Sequence, residues 1–169
     1  MNIPVIDRAA PVCARAQEVI FASRERVWDV LTDFRRWPAW NPAFRRVVLH
    51  GALAEGACVT WTTSHGMTFQ TQVASLDRYN CIAWLGSTAA MRAAYMLTLA
   101  SDPGRTCASL EASVESGLAR LMPQFTQRAL HASLARGLAA LRREAQRCAQ
   151  NPAMRPIAAK IGGSGAGSP

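Results

Sequence analysis

The chain has 169 residues, 50% of them hydrophobic and 18% charged. That suits one domain with a substantial core and excludes a disordered or coiled-coil chain. The net charge is +8, yet 18 of the 19 basic residues are arginine and Lys160 is the only lysine, so the charge alone is no signal for nucleic acid. No apolar run reaches the roughly 18 residues of a membrane span, and the N-terminal residues lack the apolar centre of a secretory signal.

The five cysteines, Cys13, Cys58, Cys81, Cys107 and Cys148, are odd in number and widely spaced, with no C-x-x-C pair. Neither a disulfide framework nor a zinc site is expected; they read as reduced, buried and structural. A reduced set of thiols points to a cytoplasmic location.

In chain order, residues 1–12 read as a flexible lead-in. A first strand is predicted from Ala14 to Ala22, where Ala16, Glu18 and Ile20 oppose Gln17, Val19 and Phe21. Ser23 is a good N-cap with Glu25 in the first turn, and Val27, Trp28, Val30 and Leu31 form the apolar face of a short helix. Two tryptophans and two prolines between Trp37 and Pro42 suit a compact turn or second short helix. Trp37, Trp40 and Asn41 are expected to pack and cap there.

Period-two patterns follow. Strands are predicted over Phe44–His50, Ala57–Thr62, Met67–Val73, Cys81–Gly86, Ala90–Ser101 and Thr106–Gly117. Ser64-His65-Gly66 and Asp102-Pro103-Gly104-Arg105 mark turns between them. A long helix is predicted from about Leu118 to Ala149, with Leu130, Leu134, Leu138, Leu141, Ala145 and Cys148 as its buried stripe. Pro123 is tolerated only in a first turn, so the regular helix is expected to begin near it. Residues 151–169, rich in Gly, Ser and Pro, read as a flexible tail. The folded domain is therefore 13–150.

One strand, two short helices, six strands and a long helix give an α+β fold class. A seven-stranded curved antiparallel sheet with one apolar face needs a cover, and the C-terminal helix is long enough to supply it. The stretch Val27-Trp28-Asp29-Val30-Leu31-Thr32-Asp33, followed by Trp37-Pro38-Ala39-Trp40-Asn41-Pro42, resembles the N-terminal signature of the SRPBCC superfamily. That is the START-domain, polyketide cyclase/dehydrase and plant-pollen-allergen group. Gly56-x-x-Val59-x-Trp61, Ile82-x-Trp84-x-Gly86 and Glu115-x-Gly117 extend the similarity over nearly all of residues 15–148. The resemblance implies a helix-grip fold with an internal pocket for hydrophobic ligands. Superfamily activities include lipid, sterol and hormone binding, aromatic polyketide cyclisation and hydrolase-cochaperone roles. They share no catalytic motif, so no catalytic residue is carried over.

On the strand faces assigned inward stand Trp61, Phe69, Thr71, Trp84, Tyr95, Leu97, Leu110 and Ala112, with Met122, Phe125 and Ala129 of the last helix placed to close the pocket. These are the candidate ligand-binding residues. Tyr95 and Thr71 bring hydroxyls to that face and are the candidates for proton transfer. His50, His65 and His131 do not cluster, and no metal or cofactor is expected. The reading is a cytoplasmic protein that binds a lipid, polyketide or other aromatic or isoprenoid-like molecule between sheet and helix. The alternatives are a polyketide cyclase/dehydrase-like enzyme using the same cavity, and a lipid- or quinone-binding protein acting at a membrane or ribosome. Arginines cluster at 35, 36, 45 and 46 and along the last helix. An acidic protein or an anionic membrane surface would suit them; nucleic acid is not expected, for want of any RNP-like, zinc-finger or helix-turn-helix pattern.

Overall fold

The computed structural model describes residues 6–151; the expected C-terminal tail lies, but for Asn151, outside them. Seven strands form one antiparallel sheet in the order β1-β7-β6-β5-β4-β3-β2. β1 is Val12–Ile20, β2 Phe44–His50, β3 Cys58–Thr63, β4 Thr68–Asp77, β5 Cys81–Ser87, β6 Met91–Asp102 and β7 Arg105–Ser116. Between β1 and β2 come α1 (Arg24–Thr32), a 3-10 turn (Phe34–Arg36) and the short α2 (Trp37–Trp40). The chain then closes with α3 (Gly117–Leu121) and α4 (Pro123–Gln150).

Local chemistry explains most boundaries. Ser23 caps α1 by accepting a hydrogen bond from the Arg26 amide. The hairpins after β3 and β6 turn through Gly66 (φ +90°) and Gly104 (φ +74°), where a side chain would be strained. The expected single C-terminal helix is two. Met122, with φ −133°, breaks it, and Pro123 starts α4 at a position where its missing N–H costs nothing. β1 also begins earlier than predicted. Residues 6–11, expected in the flexible lead-in, are held on the sheet. Ile6 is buried, the Asp7 amide donates to Ser113 Oγ (3.2 Å), and Arg8 lies 3.6 Å from Glu111.

α4 is anchored along its second half. Leu134, Leu138, Leu141, Ala145 and Cys148 are buried, whereas residues 123–133 are exposed except for half-buried Thr126 and Leu130. Two ionic contacts fasten the anchored half. Arg142 meets Glu18 of β1 at 2.9 Å. The buried Glu144 carboxylate accepts from Arg147 (2.8 Å) and lies 3.4 Å from Arg36 of the 3-10 turn. The Arg147 hydrogen bond, with the nearby arginine charges, lowers the Glu144 pKa against a burial effect that would raise it.

The opposite end of the core is aromatic. Trp61 lies 4.9 Å from Trp37, 5.1 Å from Phe44, 6.0 Å from Phe34 and 6.2 Å from Trp84, centroid to centroid. Trp37 donates its indole N–H to the Leu31 carbonyl (2.8 Å), and Asn41 Oδ1 accepts from the Ala43 amide (3.2 Å). Both residues therefore pack and cap. Trp61 donates to Thr71 Oγ1 at 2.8 Å in a buried hydrogen bond.

Two outcomes follow. Glu144→Gln should lower stability at neutral pH by about 1–2 kcal/mol. Because the folded pKa is depressed, this contribution is present above the ordinary value of 4.5 and is lost as pH falls through the lower folded value. Thermal unfolding of both proteins across pH should show the gap closing on the acid side. A gap that persisted in acid would overturn the account. Thr71→Val should cost about 1–3 kcal/mol in urea unfolding by orphaning the Trp61 N–H, and Thr71→Ser should recover most of it.

Candidate functional site

Strand register settles which predicted residues share a face. Trp61 opposes Phe69, and Val59 opposes Thr71. Trp84 opposes Tyr95, Tyr95 opposes Ala112, and Leu97 opposes Leu110. Directly opposed residues of antiparallel strands point the same way. Leu110 in turn opposes Ala16, two residues before Glu18, whose carboxylate reaches Arg142 of α4. All eight strand residues proposed for the pocket therefore lie on the sheet face turned to α4. Trp61, Thr71, Trp84, Leu97 and Ala112 are buried; Phe69, Tyr95 and Leu110 are half-buried.

The three helical residues do not join them. Met122, Phe125 and Ala129 are exposed, Phe125 to 61%. At about 100° per residue, Phe125 lies about 180° and Ala129 about 140° around α4 from buried Leu134, so both face away from the sheet. The expectation took their apolar character for inwardness and ignored the phase set by the stripe from Leu134 to Cys148.

The polar atoms on the inner face are few. Thr71 Oγ1 is occupied by Trp61 Nε1. The indole N–H of Trp84 is buried with no acceptor, as is that of Trp40 in the aromatic cluster. An unmet buried donor is costly, by about 1–3 kcal/mol. Tyr95, opposite Trp84, has its pKa raised by burial, so its hydroxyl stays protonated and able to donate. Glu18 is the one carboxylate on this face of the sheet, and it is ion-paired. The face is thus largely apolar, with Trp84 and Tyr95, paired across β5 and β6, each carrying a polar donor group.

A groove of about 580 Å³ lies on the other side of the sheet. Ser113, Ala94, Leu85, Gln72 and Cys58 form a single cross-strand row along it, with Arg92 and Glu115 in the next row and Asp7 and Ala10 at one edge. The sequence reading missed it, because outward residues of neighbouring strands carry no signal until the segment 6–10 folds beside them. His50, bonded to Thr60 Oγ1 (2.8 Å), His65 and His131 are all exposed. Among the described residues, no group of three or more His, Cys, Asp or Glu side chains could hold a metal ion, and no helix is long and apolar enough to cross a membrane. The five thiols are free; Cys148 is buried and the other four are half-buried.

Comparison with known proteins agrees with this architecture. A START superfamily protein from Mycobacterium smegmatis superposes with a TM-score of 0.69 at 16% identity, over 80% of this chain and 97% of that one. A hypothetical protein from Helicobacter pylori gives 0.74 at 13% identity, over 86% and 97%. The Zhui aromatase/cyclase from Streptomyces sp. R1128 gives 0.68 at 18% identity, over 83% and 96%. Such identities establish the helix-grip fold alone. No curated protein matches the sequence significantly. The family model described as "Polyketide cyclase / dehydrase and lipid transport" matches residues 11–146, and with the sheet wrapped on α4 as described, the chain belongs to that family, within the SRPBCC superfamily.

Proposed function

We propose that the protein binds a hydrophobic small molecule bearing a carbonyl or similar acceptor against the inner face of the sheet. The acceptor would sit at Trp84 Nε1 and the Tyr95 hydroxyl, and the apolar body against Phe69, Leu97, Leu110 and Ala112. The observation that carries this reading is the Trp84 indole N–H, buried and unmatched beside Tyr95 on an otherwise apolar face. A ligand acceptor would remove that penalty. Lipid and polyketide ligands both suit the family's description.

A second reading has the same face fold a reactive chain, as in a polyketide cyclase/dehydrase. Its support is the protonated Tyr95, a proton donor in an apolar setting, and the likeness to an aromatase/cyclase. Proton abstraction would also need a base, and Glu18, the carboxylate on this face, is engaged by Arg142. Binding without chemistry is therefore the favoured reading.

Native mass spectrometry of the purified protein should reveal a co-purifying small molecule of this kind. Tyr95→Phe, which removes only the hydroxyl, should weaken its binding about tenfold, the loss of one hydrogen bond. Phe69→Ala should weaken it too, by removing apolar contact. A ligand retained equally by both variants would place the site elsewhere, the outer groove being the next surface to test.

A further inference from the structure

Met122 and Phe125, expected in the pocket, belong instead to an exposed apolar surface. Among the described residues, nine large hydrophobics are exposed, and four of them fall within residues 118–125. They are Leu118 (54%), Leu121 (83%), Met122 (51%) and Phe125 (61%), at the elbow between α3 and α4. Scattered exposed apolar residues need no explanation; a contiguous group on a protein's outside marks a contact surface.

The charges beside it say what kind of contact. Arg128, Arg136 and Arg143 stand on the same side of α4 as Phe125, about 120° to 180° around the helix from Leu134, interspersed with Ala129 and Ala132. All are exposed, and none of the three arginines has a carboxylate partner among the described residues. α4 contains one acid, Glu144, and it is turned into the core and held by Arg147. The outward face of α4 thus carries cations without anions, and its N-terminal end carries bulky apolar groups. We propose that this face docks on an anionic lipid bilayer. Leu121, Met122 and Phe125 enter the interface, and Arg128, Arg136 and Arg143 lie along the headgroups over about 22 Å of helix. An acidic protein would match the arginines but give no reason for the exposed leucines and phenylalanine. A second copy of this chain would match the apolar elbow but would bring cation against cation. The inference does not depend on the ligand reading and can stand or fall without it.

Co-sedimentation of the full chain with extruded vesicles tests it. Phosphatidylcholine vesicles containing phosphatidylglycerol should pellet the protein, phosphatidylcholine alone should not, and added salt should release it. Leu121→Ser/Phe125→Ser should weaken partition at least tenfold, and Arg136→Gln/Arg143→Gln should weaken it by about fivefold per arginine. Both pairs are exposed, so unchanged circular dichroism and melting temperature will show that the fold is intact. Three results would overturn the proposal. One is no dependence on phosphatidylglycerol, and another is wild-type binding by Leu121→Ser/Phe125→Ser. The third is a dimer in sedimentation velocity that this variant dissolves, which would assign the elbow to a second copy.

Discussion

The seating of the second half of α4 on β1 governs the rest of the molecule. Leu134, Leu138, Leu141, Ala145 and Cys148 present one stripe, and the sheet answers with Ala16, Ile20 and Ala108 in the common core. Burial of side chains of this size contributes about 1.5–3 kcal/mol for each large one, which is far more than surface ion pairs supply. The Glu144 and Glu18 contacts act differently. They tie that half of α4 to the 3-10 turn and to β1. Once the second half is fixed, residues 123–133 have no layer beneath them beyond what Thr126 and Leu130 meet.

That asymmetry separates three surfaces with different chemistry. The inner face of the sheet is apolar, with donors at Trp84 and Tyr95. The elbow of α3 and α4 is apolar, and the outward face of α4 beyond it is cationic. The groove on the far side of the sheet mixes apolar residues such as Leu85 and Ala94 with Gln72, Arg92 and Glu115, and is bounded by the segment that precedes β1. A single composition, half hydrophobic and arginine-rich, is thereby divided among a core, the inner sheet face and an exposed apolar and cationic surface. The aromatic cluster around Trp61 fills the end of the core near α2.

Much of this was legible in the residues themselves. Trp84 and Tyr95, on different strands, were assigned to one face by alternation alone, and the register places them directly opposite. Alternation puts Glu18 on one strand face with Ala16 and Ile20, and its partner is an arginine of α4. The signature around Trp37 and Trp40 led to the fold, and both side chains stand in the aromatic cluster. Phe125 and Ala129 were misplaced because hydrophobicity was read without helical phase. The break at Met122 further decouples α3 from α4, so that no single helical wheel covers both.

The order of the elements, the two faces of each strand and the stripe of the last helix can be read from the chain alone. These follow from periods of 2 and 3.6 residues that are written locally in the chain. How far along its length α4 touches the sheet, which apolar residues remain outside and where a groove opens emerge only in the folded molecule. Those depend on distances between elements remote in sequence, set by packing of particular side chains such as Glu144 on Arg36, and no local period encodes them.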